Sequence, residues 1–115
     1  PLKNMTNLEY LSLGYNRIVN IRSVANLTDL TELNLMKNKI RDISPISMLS
    51  ELKQLWLHHN DIKDIKPLVS NEGLAKGDLV NVRFNPLSDT SLNVYVPQLS
   101  DRGVHILSVC YSCVI

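Results

Sequence analysis

The residues best suited to chemistry in this 115-residue chain are two adjacent histidines and two cysteines near its end. His58 and His59 would suit a metal ion if a third ligand, such as Glu32, came near. Neighbouring residues of a strand point to opposite faces, however, so adjacent histidines are poorly placed to ligate one ion. Cys110 and Cys113 have the CxxC spacing, but one such pair is half of a zinc site. We therefore predict no metal site, and we interpret the cysteines as small apolar residues or one terminal disulfide.

Sequence signatures of catalysis are missing. The sequence contains no glycine-rich phosphate loop, no nucleophile elbow and no HExxH motif, so we predict no catalytic residues and no cofactor. The net charge is +1 and 20% of the residues are charged, which argues against a dedicated nucleic-acid or membrane-surface binder. No apolar run approaches the roughly 18 residues needed to cross a bilayer, so we expect no membrane insertion.

A repeat must position these side chains. Asn16, Asn38 and Asn60 stand 22 residues apart, and seven apolar positions recur at the same offsets in three copies. The three sets are Leu2, Met5, Leu8, Leu11, Leu13, Ile18 and Ile21; Val24, Leu27, Leu30, Leu33, Leu35, Ile40 and Ile43; and Ile46, Leu49, Leu52, Leu55, Leu57, Ile62 and Ile65. A fixed period between 20 and 50 residues indicates stacked structural repeats.

Each copy contains a short strand followed by a turn. Leu11 and Leu13 alternate with polar neighbours, which is the pattern of a strand with one buried face. Three such residues are unstable alone, but stacking at about 4.8 Å joins them into a parallel sheet. The turn leaves backbone groups without partners, and a short amide side chain can satisfy them. The predicted structural asparagine ladder is Asn16, Asn38, Asn60 and Asn85.

The pattern LxxLxLxxNxI at residues 8–18, 30–40 and 52–62 resembles the leucine-rich repeat family. The 22-residue length and the paired isoleucines most resemble the short repeats of bacterial internalins and related regulatory-subunit proteins. The resemblance implies an α/β fold, a right-handed solenoid or horseshoe segment. Its short parallel β-sheet would line the concave side, with short helical or 3-10 turns on the convex side. The resemblance also implies a binding surface on the strand side, and it favours a secreted or cell-surface location.

The regular spacing changes after the third copy. Asn85 follows Asn60 by 25 residues, which predicts a three-residue insertion around residues 70–77. Insertions of this kind map to one face of a solenoid and are sometimes functional, but we favour simple length drift near the end of the array as the explanation of this one.

These observations divide the chain into three parts. Residues 1–87 are predicted to form about four leucine-rich repeats, the fourth carrying the insertion. Residues 88–107 are predicted to form a C-terminal closing helix and strand, with Ser88 as the helix N-cap and the strand at 104–107. Residues 108–115 form an apolar tail of uncertain structure.

The residues just before each ladder asparagine are candidates for partner contact. As outward residues of successive strands they form four columns on the concave side, which contain the single Trp and two of the four Tyr residues of the chain. Aromatic and apolar groups on a rigid sheet are typical of binding hot spots. The predicted partner-binding residues are Tyr10, Tyr15, Glu32, Asn34, Met36, Gln54, Trp56, His58 and Arg83.

We therefore predict a protein–protein interaction module that binds a protein or peptide on its concave face, around Trp56 and His58. The alternatives are a non-binding spacer or a targeting arm of a larger surface protein or multidomain enzyme. No nucleic-acid partner is expected. Because Leu2, Met5 and Leu8 face a layer that no earlier repeat covers, we also expect self-association through the N-terminal end.

Overall fold

The computed structural model describes residues 7–108, and their backbone forms an open sheet of five parallel strands. The strands lie in chain order, so each strand is added beside the one before it. They are β1 Tyr10–Ser12, β2 Glu32–Asn34, β3 Gln54–Trp56, β4 Leu79–Asn81 and β5 His105–Leu107. The parallel sheet predicted from the repeat is confirmed, and residues at equivalent repeat positions pair directly.

Leucine and isoleucine side chains form the core behind this sheet. In the second and third copies of the repeat, every predicted core residue is buried, with exposed fractions of 2% or less. In the first copy Ile21 is buried, whereas four others are only partly buried because they form the first described layer: Leu8, Leu11, Leu13 and Ile18. Burial of one such side chain contributes about 1.5–3 kcal/mol, so the stacked layers are the main source of stability.

Short helical turns build the convex side, as predicted. The 3-10 turns span Arg22–Asn26 and Ser44–Met48. In the fourth repeat the same place is taken by helix α1, Lys66–Ser70, with a proline in its first turn, where a backbone N–H is not needed. After α1, Gly73 lies so close to the previous repeat that a Cβ atom there would stand 1.9 Å from the carbonyl oxygen of Ser50.

A longer helical segment replaces the convex turn near the end of the described chain. Residues 89–101 are helical, and a π-helical turn, Ser91–Tyr95, runs directly into helix α2, Val96–Asp101. The Oγ of Ser88, just before this segment, accepts a hydrogen bond from the backbone N–H of Ser91 at 3.1 Å. This is the N-cap interaction expected from the sequence. Strand β5 follows and pairs with β4.

Arg102 fastens this segment to α1. Its guanidinium group donates hydrogen bonds to three backbone carbonyls at the carboxyl end of α1, where intrahelical partners run out. The carbonyls belong to Val69, Asn71 and Leu74. Asn71 is itself 1% exposed, and its Nδ2 donates to the carbonyls of Ile46 and Leu49 at 2.9 Å each. Two side chains thus join three consecutive convex segments.

Within residues 7–108 no helix has the length and apolar character needed to span a membrane. Leu2 and Met5, both cysteines and the tail from residue 109 onward lie outside the described residues.

Candidate functional site

An asparagine fixes the turn that follows each strand. The Nδ2 of Asn60 donates to the carbonyls of Leu57 in its own repeat and Leu35 in the repeat before, at 3.0 and 2.9 Å. Its Oδ1 accepts from the backbone N–H of Ile40 at 3.1 Å. The equivalent positions are Asn38, Asn85 and Asn16, the last of which bonds within its own repeat among residues 7–108. The turns are therefore held rigidly, repeat against repeat.

Strand register places many of the predicted partner-binding residues side by side. The first outward column is Tyr10, Glu32, Gln54, Leu79 and His105; the second is Ser12, Asn34, Trp56, Asn81 and Leu107. The residues between these columns are core side chains, so both columns face the concave side. Strand β5 adds His105 and Leu107, which the sequence analysis had not included.

Asn34 and Asn81 use their side chains within their own turns. The Oδ1 of Asn34 accepts a hydrogen bond from the backbone N–H of Met36 at 3.1 Å, and Asn81 does the same for Arg83 at 3.1 Å. Trp56 occupies the same column between them and is half-buried. Asn34 therefore has a structural role beside its predicted partner contact. Trp56 stands between two asparagines whose side chains hold the turns that follow their own strands.

Four residues directly before the ladder asparagines have a left-handed backbone. Tyr15, Lys37, His59 and Phe84 have φ angles of 60°, 54°, 60° and 60°. Residues other than glycine rarely adopt this conformation, which costs about 1–2 kcal/mol per residue. Their assignment as strand residues is wrong, because each strand ends three residues earlier and the chain then turns. The sequence feature that could have predicted the turn is the position that these four residues share, directly before a ladder asparagine.

These turns bring aromatic rings into a continuous series of contacts. The ring of Trp56 meets that of His58 edge-on at 6.2 Å between centroids, and His58 meets His59 edge-on at 5.7 Å. His59 stacks on Phe84 at 4.3 Å with only 10° between the ring planes. With the adjoining Lys37 and Arg83, these residues form what we call the cationic–aromatic cluster: Lys37, Trp56, His58, His59, Arg83 and Phe84.

The other predicted contact residues lie outside this cluster. Glu32 and Gln54 begin β2 and β3, at the amino ends of the strands. Tyr10, 53% exposed, continues their column on β1. Tyr15 is 70% exposed, and the Nζ of Lys37 lies 5.1 Å from the centroid of its ring, a cation–π contact. The predicted set therefore spreads over both ends of the strands, and the carboxyl ends hold the contacting rings.

The surroundings of His58 within the cationic–aromatic cluster oppose a positive charge on its ring. Burial lowers the pKa of His58 below its ordinary value, and the nearby His59 and Lys37 lower it further, so the neutral imidazole is favoured. The Nδ1 of His58 and the Nε of Arg83 are covered from solvent and have no hydrogen-bond partner among residues 7–108. Buried polar atoms usually have a partner, so two unpaired atoms on neighbouring repeats mark this place as unusual.

The two adjacent histidines do not diverge as strand residues would. Their rings are in edge contact, because β3 ends at Trp56 and His59 lies on the left-handed turn. The expectation that they point to opposite faces is therefore wrong. Within the described part of the chain, no group of three His, Cys, Asp or Glu side chains is arranged to hold a metal ion.

A second ladder, missed from the sequence, lies on the convex side. Side-chain oxygens of Asn20, Asp42 and Asp64 accept hydrogen bonds at 2.8–2.9 Å from the backbone N–H two residues later. Each starts a convex turn, and the three residues are again 22 apart. Hydrogen bonds from the backbone and side chain of Ser44, aided by nearby Arg22, hold the pKa of Asp42 below its ordinary value.

This rim also contains an open groove of about 460 Å³ between the first two convex turns. Its walls include two exposed apolar side chains, Val19 and Met48, which are 59% and 61% exposed. Its polar oxygens on Asn20 and Asp42 are already engaged in the turn caps. The groove shares no residue with the cationic–aromatic cluster.

Comparison with known proteins identifies the repeat. The family model described as leucine-rich repeats (2 copies) matches residues 6–48 and 30–70. No curated protein matches the chain closely enough to count as a relative.

Solved structures agree with this match. Internalin C2 of Listeria monocytogenes is similar to this chain with a TM-score of 0.78 and 31% sequence identity, over 95% of this chain and 45% of its own. A leucine-rich repeat protein of Leptospira interrogans has a TM-score of 0.60 and 23% identity, over 91% of this chain and 32% of its own, and supports the fold alone. The chain thus spans less than half the length of these proteins.

Proposed function

Because the chain belongs to the leucine-rich repeat family, we propose that its concave sheet face binds a protein or peptide partner, with Trp56 and His58 at the centre of contact. The predicted solenoid of bacterial, internalin-like type is confirmed by the family match and the structural neighbours. Leucine-rich repeat proteins are generally non-catalytic scaffolds for protein interaction, which supports a binding role over an enzymatic one.

The observation that carries this proposal is the unbroken series of ring contacts from Trp56 to Phe84. Large planar side chains give much contact area and lose little conformational entropy on binding. Here the backbone beneath them is already ordered by the asparagine ladder and by strand pairing. Preorganisation of this kind lowers the entropic cost of association.

The flanking residues would extend the contact in two directions. At the amino ends of the strands, Tyr10 and Gln54 are exposed and Glu32 is half-buried between them. Tyr15 and Met36 lie beside the cluster at the carboxyl ends. Asn34 would serve chiefly to hold the Met36 turn. An extended segment crossing several strands could touch both rows.

Peptide selection provides the test, because the natural partner is not needed. A random peptide display library is panned on the folded chain, and enriched peptides are measured against Trp56→Ala and His58→Ala. We expect each variant to weaken binding about tenfold or more, as truncation of a central aromatic contact does. Met48→Ala is the matched control, since Met48 is an exposed apolar residue on the opposite rim. Circular dichroism checks that all variants remain folded.

Two results would count against the concave face. Enriched peptides that bind Trp56→Ala as tightly as the native chain would place the contact elsewhere. Loss of binding with Met48→Ala alone would assign it to the convex groove. Failure to enrich any peptide would favour the alternative of a spacer or targeting arm.

We also infer that the N-terminal end of the sheet self-associates. Leu8, Leu11 and Leu13 are only partly buried, and β1 pairs with a strand on one side alone within residues 7–108. An open strand edge beside apolar surface is a ready site for pairing with another chain.

A further inference from the structure

Four groups able to carry positive charge meet at the carboxyl ends of β2, β3 and β4. They are Lys37, His58, His59 and Arg83. Backbone hydrogen bonds fix their order, since the N–H of Lys37 donates to the carbonyl of His58 at 3.0 Å and the N–H of His59 to that of Arg83 at 3.1 Å. Residues so paired stand about one strand spacing apart, roughly 4.8 Å. Three consecutive repeats thus contribute to one compact patch, in which Lys37 and Arg83 supply the positive charge near neutral pH and the histidines supply ring nitrogen atoms.

Two nitrogen atoms of this patch are left without a hydrogen-bond partner among residues 7–108. In the part of the chain that the structure describes, His58 Nδ1 and Arg83 Nε are covered from solvent and form no hydrogen bond. A buried donor or acceptor left unpaired destabilises the folded chain. Because both atoms are covered, an incoming acceptor would meet the remaining, accessible nitrogen atoms of these two half-buried side chains.

Acidic side chains on the concave side lie away from the patch. Among the outward residues on β1–β5 and their following turns, Glu32 is the one acidic residue, and it lies at the amino end of β2 beside Tyr10 and Gln54. On the convex rim, by contrast, basic residues have acidic neighbours: Arg22 acts on Asp42, and Arg41 shares a groove with Asp61. Basic residues of the convex rim therefore have acidic neighbours, whereas the outward residues around the patch include no acidic side chain apart from Glu32 at the far end of β2.

We propose, resting on the concave-face function above, that this patch takes a carboxylate from an acidic segment of the protein partner. The planar guanidinium of Arg83 suits the two oxygens of a carboxylate, and His58 would supply a further donor. An apolar or aromatic side chain next to the acidic residue would pack on Trp56. The recognised element is therefore an Asp or Glu beside an apolar residue.

Phosphate is the competing anion, and the layout of charge disfavours nucleic acid. A nucleic-acid strand is followed by basic residues along a track, whereas these four groups form one patch on a chain of net charge +1. Beyond the patch, the first concave column consists of Tyr10, Glu32, Gln54, Leu79 and His105, which include no Lys or Arg to follow a phosphate backbone.

A titration of the isotope-labelled chain with hexaglutamate tests the proposal by NMR. We expect the side-chain resonances of Arg83 and His58 to move, and hexalysine to move neither. Arg83→Gln should weaken hexaglutamate binding about fivefold. Arg41→Gln makes the same change of charge on the opposite rim, where Arg41 is exposed, and should leave the affinity unchanged.

Three outcomes would overturn the carboxylate site. Equal weakening by the Arg83 and Arg41 variants would mean diffuse attraction between charges. Tighter binding of oligothymidylate at the same two resonances would assign the patch to nucleic acid. No movement of Arg83 or His58 at saturating hexaglutamate would exclude the site. If the selected peptides still depend on Trp56 in any of these cases, the concave-face function survives and only the acidic specificity fails.

Discussion

His58 combines a contact position with an environment that opposes its charge. Burial is the first cause of its lowered pKa, followed by the charges of His59 and Lys37, and Arg83 lies on the adjoining repeat. The folded chain therefore resists a proton that the unfolded chain accepts near the ordinary value of 6.5. Stability should fall as pH drops through 6.5 and stop falling below the lower pKa of the folded state.

His58→Gln should remove this part of the pH dependence. Urea unfolding at several pH values, from about 7.5 down to about 5.5, measures it as the difference between native chain and variant. His105→Gln is the control, because His105 is an exposed histidine on β5. An identical loss of stability on acidification in the native chain and His58→Gln would contradict the account.

Substitution of Asp42 tests the second ladder, which caps the turns on the convex side. Asp42→Ala removes the acceptor for the Ser44 N–H and should cost about 0.5–1 kcal/mol of unfolding free energy, as loss of a turn cap does. Asp42→Asn should retain most of this unfolding free energy, since the side chain of Asn20 makes the equivalent hydrogen bond in the first copy. The lowered pKa of Asp42 means that its contribution is present above 3.8 and is lost as pH falls through the folded value. Chemical denaturation near neutral pH distinguishes the two variants, and equal losses would contradict the cap.

For single residues, the 22-residue period predicted the apolar positions that form the core. It did not predict the surface residues that cap the turns with the same spacing. The core leucines follow from spacing, because one shift in register would expose them all. Asn20, Asp42 and Asp64 have the same 22-residue spacing but lie among the charged residues of the convex rim, so their shared role as turn caps was not predicted. The left-handed φ of His59 also escaped prediction, because the residue types at that position are not the glycine or asparagine that usually signal it.

At the element scale, Gly73 limits how the insertion packs on the third repeat. Gly73→Ala would place Cβ 1.9 Å from a backbone oxygen of Ser50, which side-chain rotation cannot relieve. We expect a loss of about 3 kcal/mol, at the upper end for overpacking. Gly77→Ala is the matched control: it has φ of +91° but open space around its Cβ, and should lose about 1–2 kcal/mol. Thermal or urea unfolding of the pair gives the comparison, and a smaller loss for Gly73→Ala would contradict this packing.

We propose that residues 88–107 close the regular array. In support, Leu99 of this segment is fully buried and Arg102 joins the segment to α1. The strand at its end was predictable from alternation and a preceding glycine. The Arg102 contacts were not, because they join residues about 30 positions apart that share no repeat offset.

For the whole molecule, we expect the chain to self-associate at the β1 end of its sheet, to a degree that rises with protein concentration. Leu11→Lys would place a charge on the apolar face next to the open edge of β1, and should shift the chain toward monomer. Light scattering over a concentration series measures this, with Tyr95→Lys, a partly buried site in the C-terminal helical segment, as control. A chain that is monomeric at every concentration would contradict the inference.

The fold of the whole molecule could be predicted because a solenoid depends on neighbouring repeats alone, and each repeat carries the full pattern. From the sequence, the binding face could be predicted only as one side of the sheet, without the contacts between its residues. Which residues on it meet depends on turn geometry: His59 stacks on Phe84 across a repeat whose spacing is 25 residues and not 22.

We propose that the concave face around Trp56 binds the partner. A map of chemical-shift changes on peptide binding is the sharpest test of this proposal. A peptide selected on the native chain is added to the 15N-labelled protein, and shifts are followed at every backbone amide and at the Trp56 indole Nε1. The account predicts the largest shifts at that indole and along the outward residues of β2–β4. Shifts confined to the convex groove around Val19 and Met48, with an unmoved Trp56 indole, would contradict it.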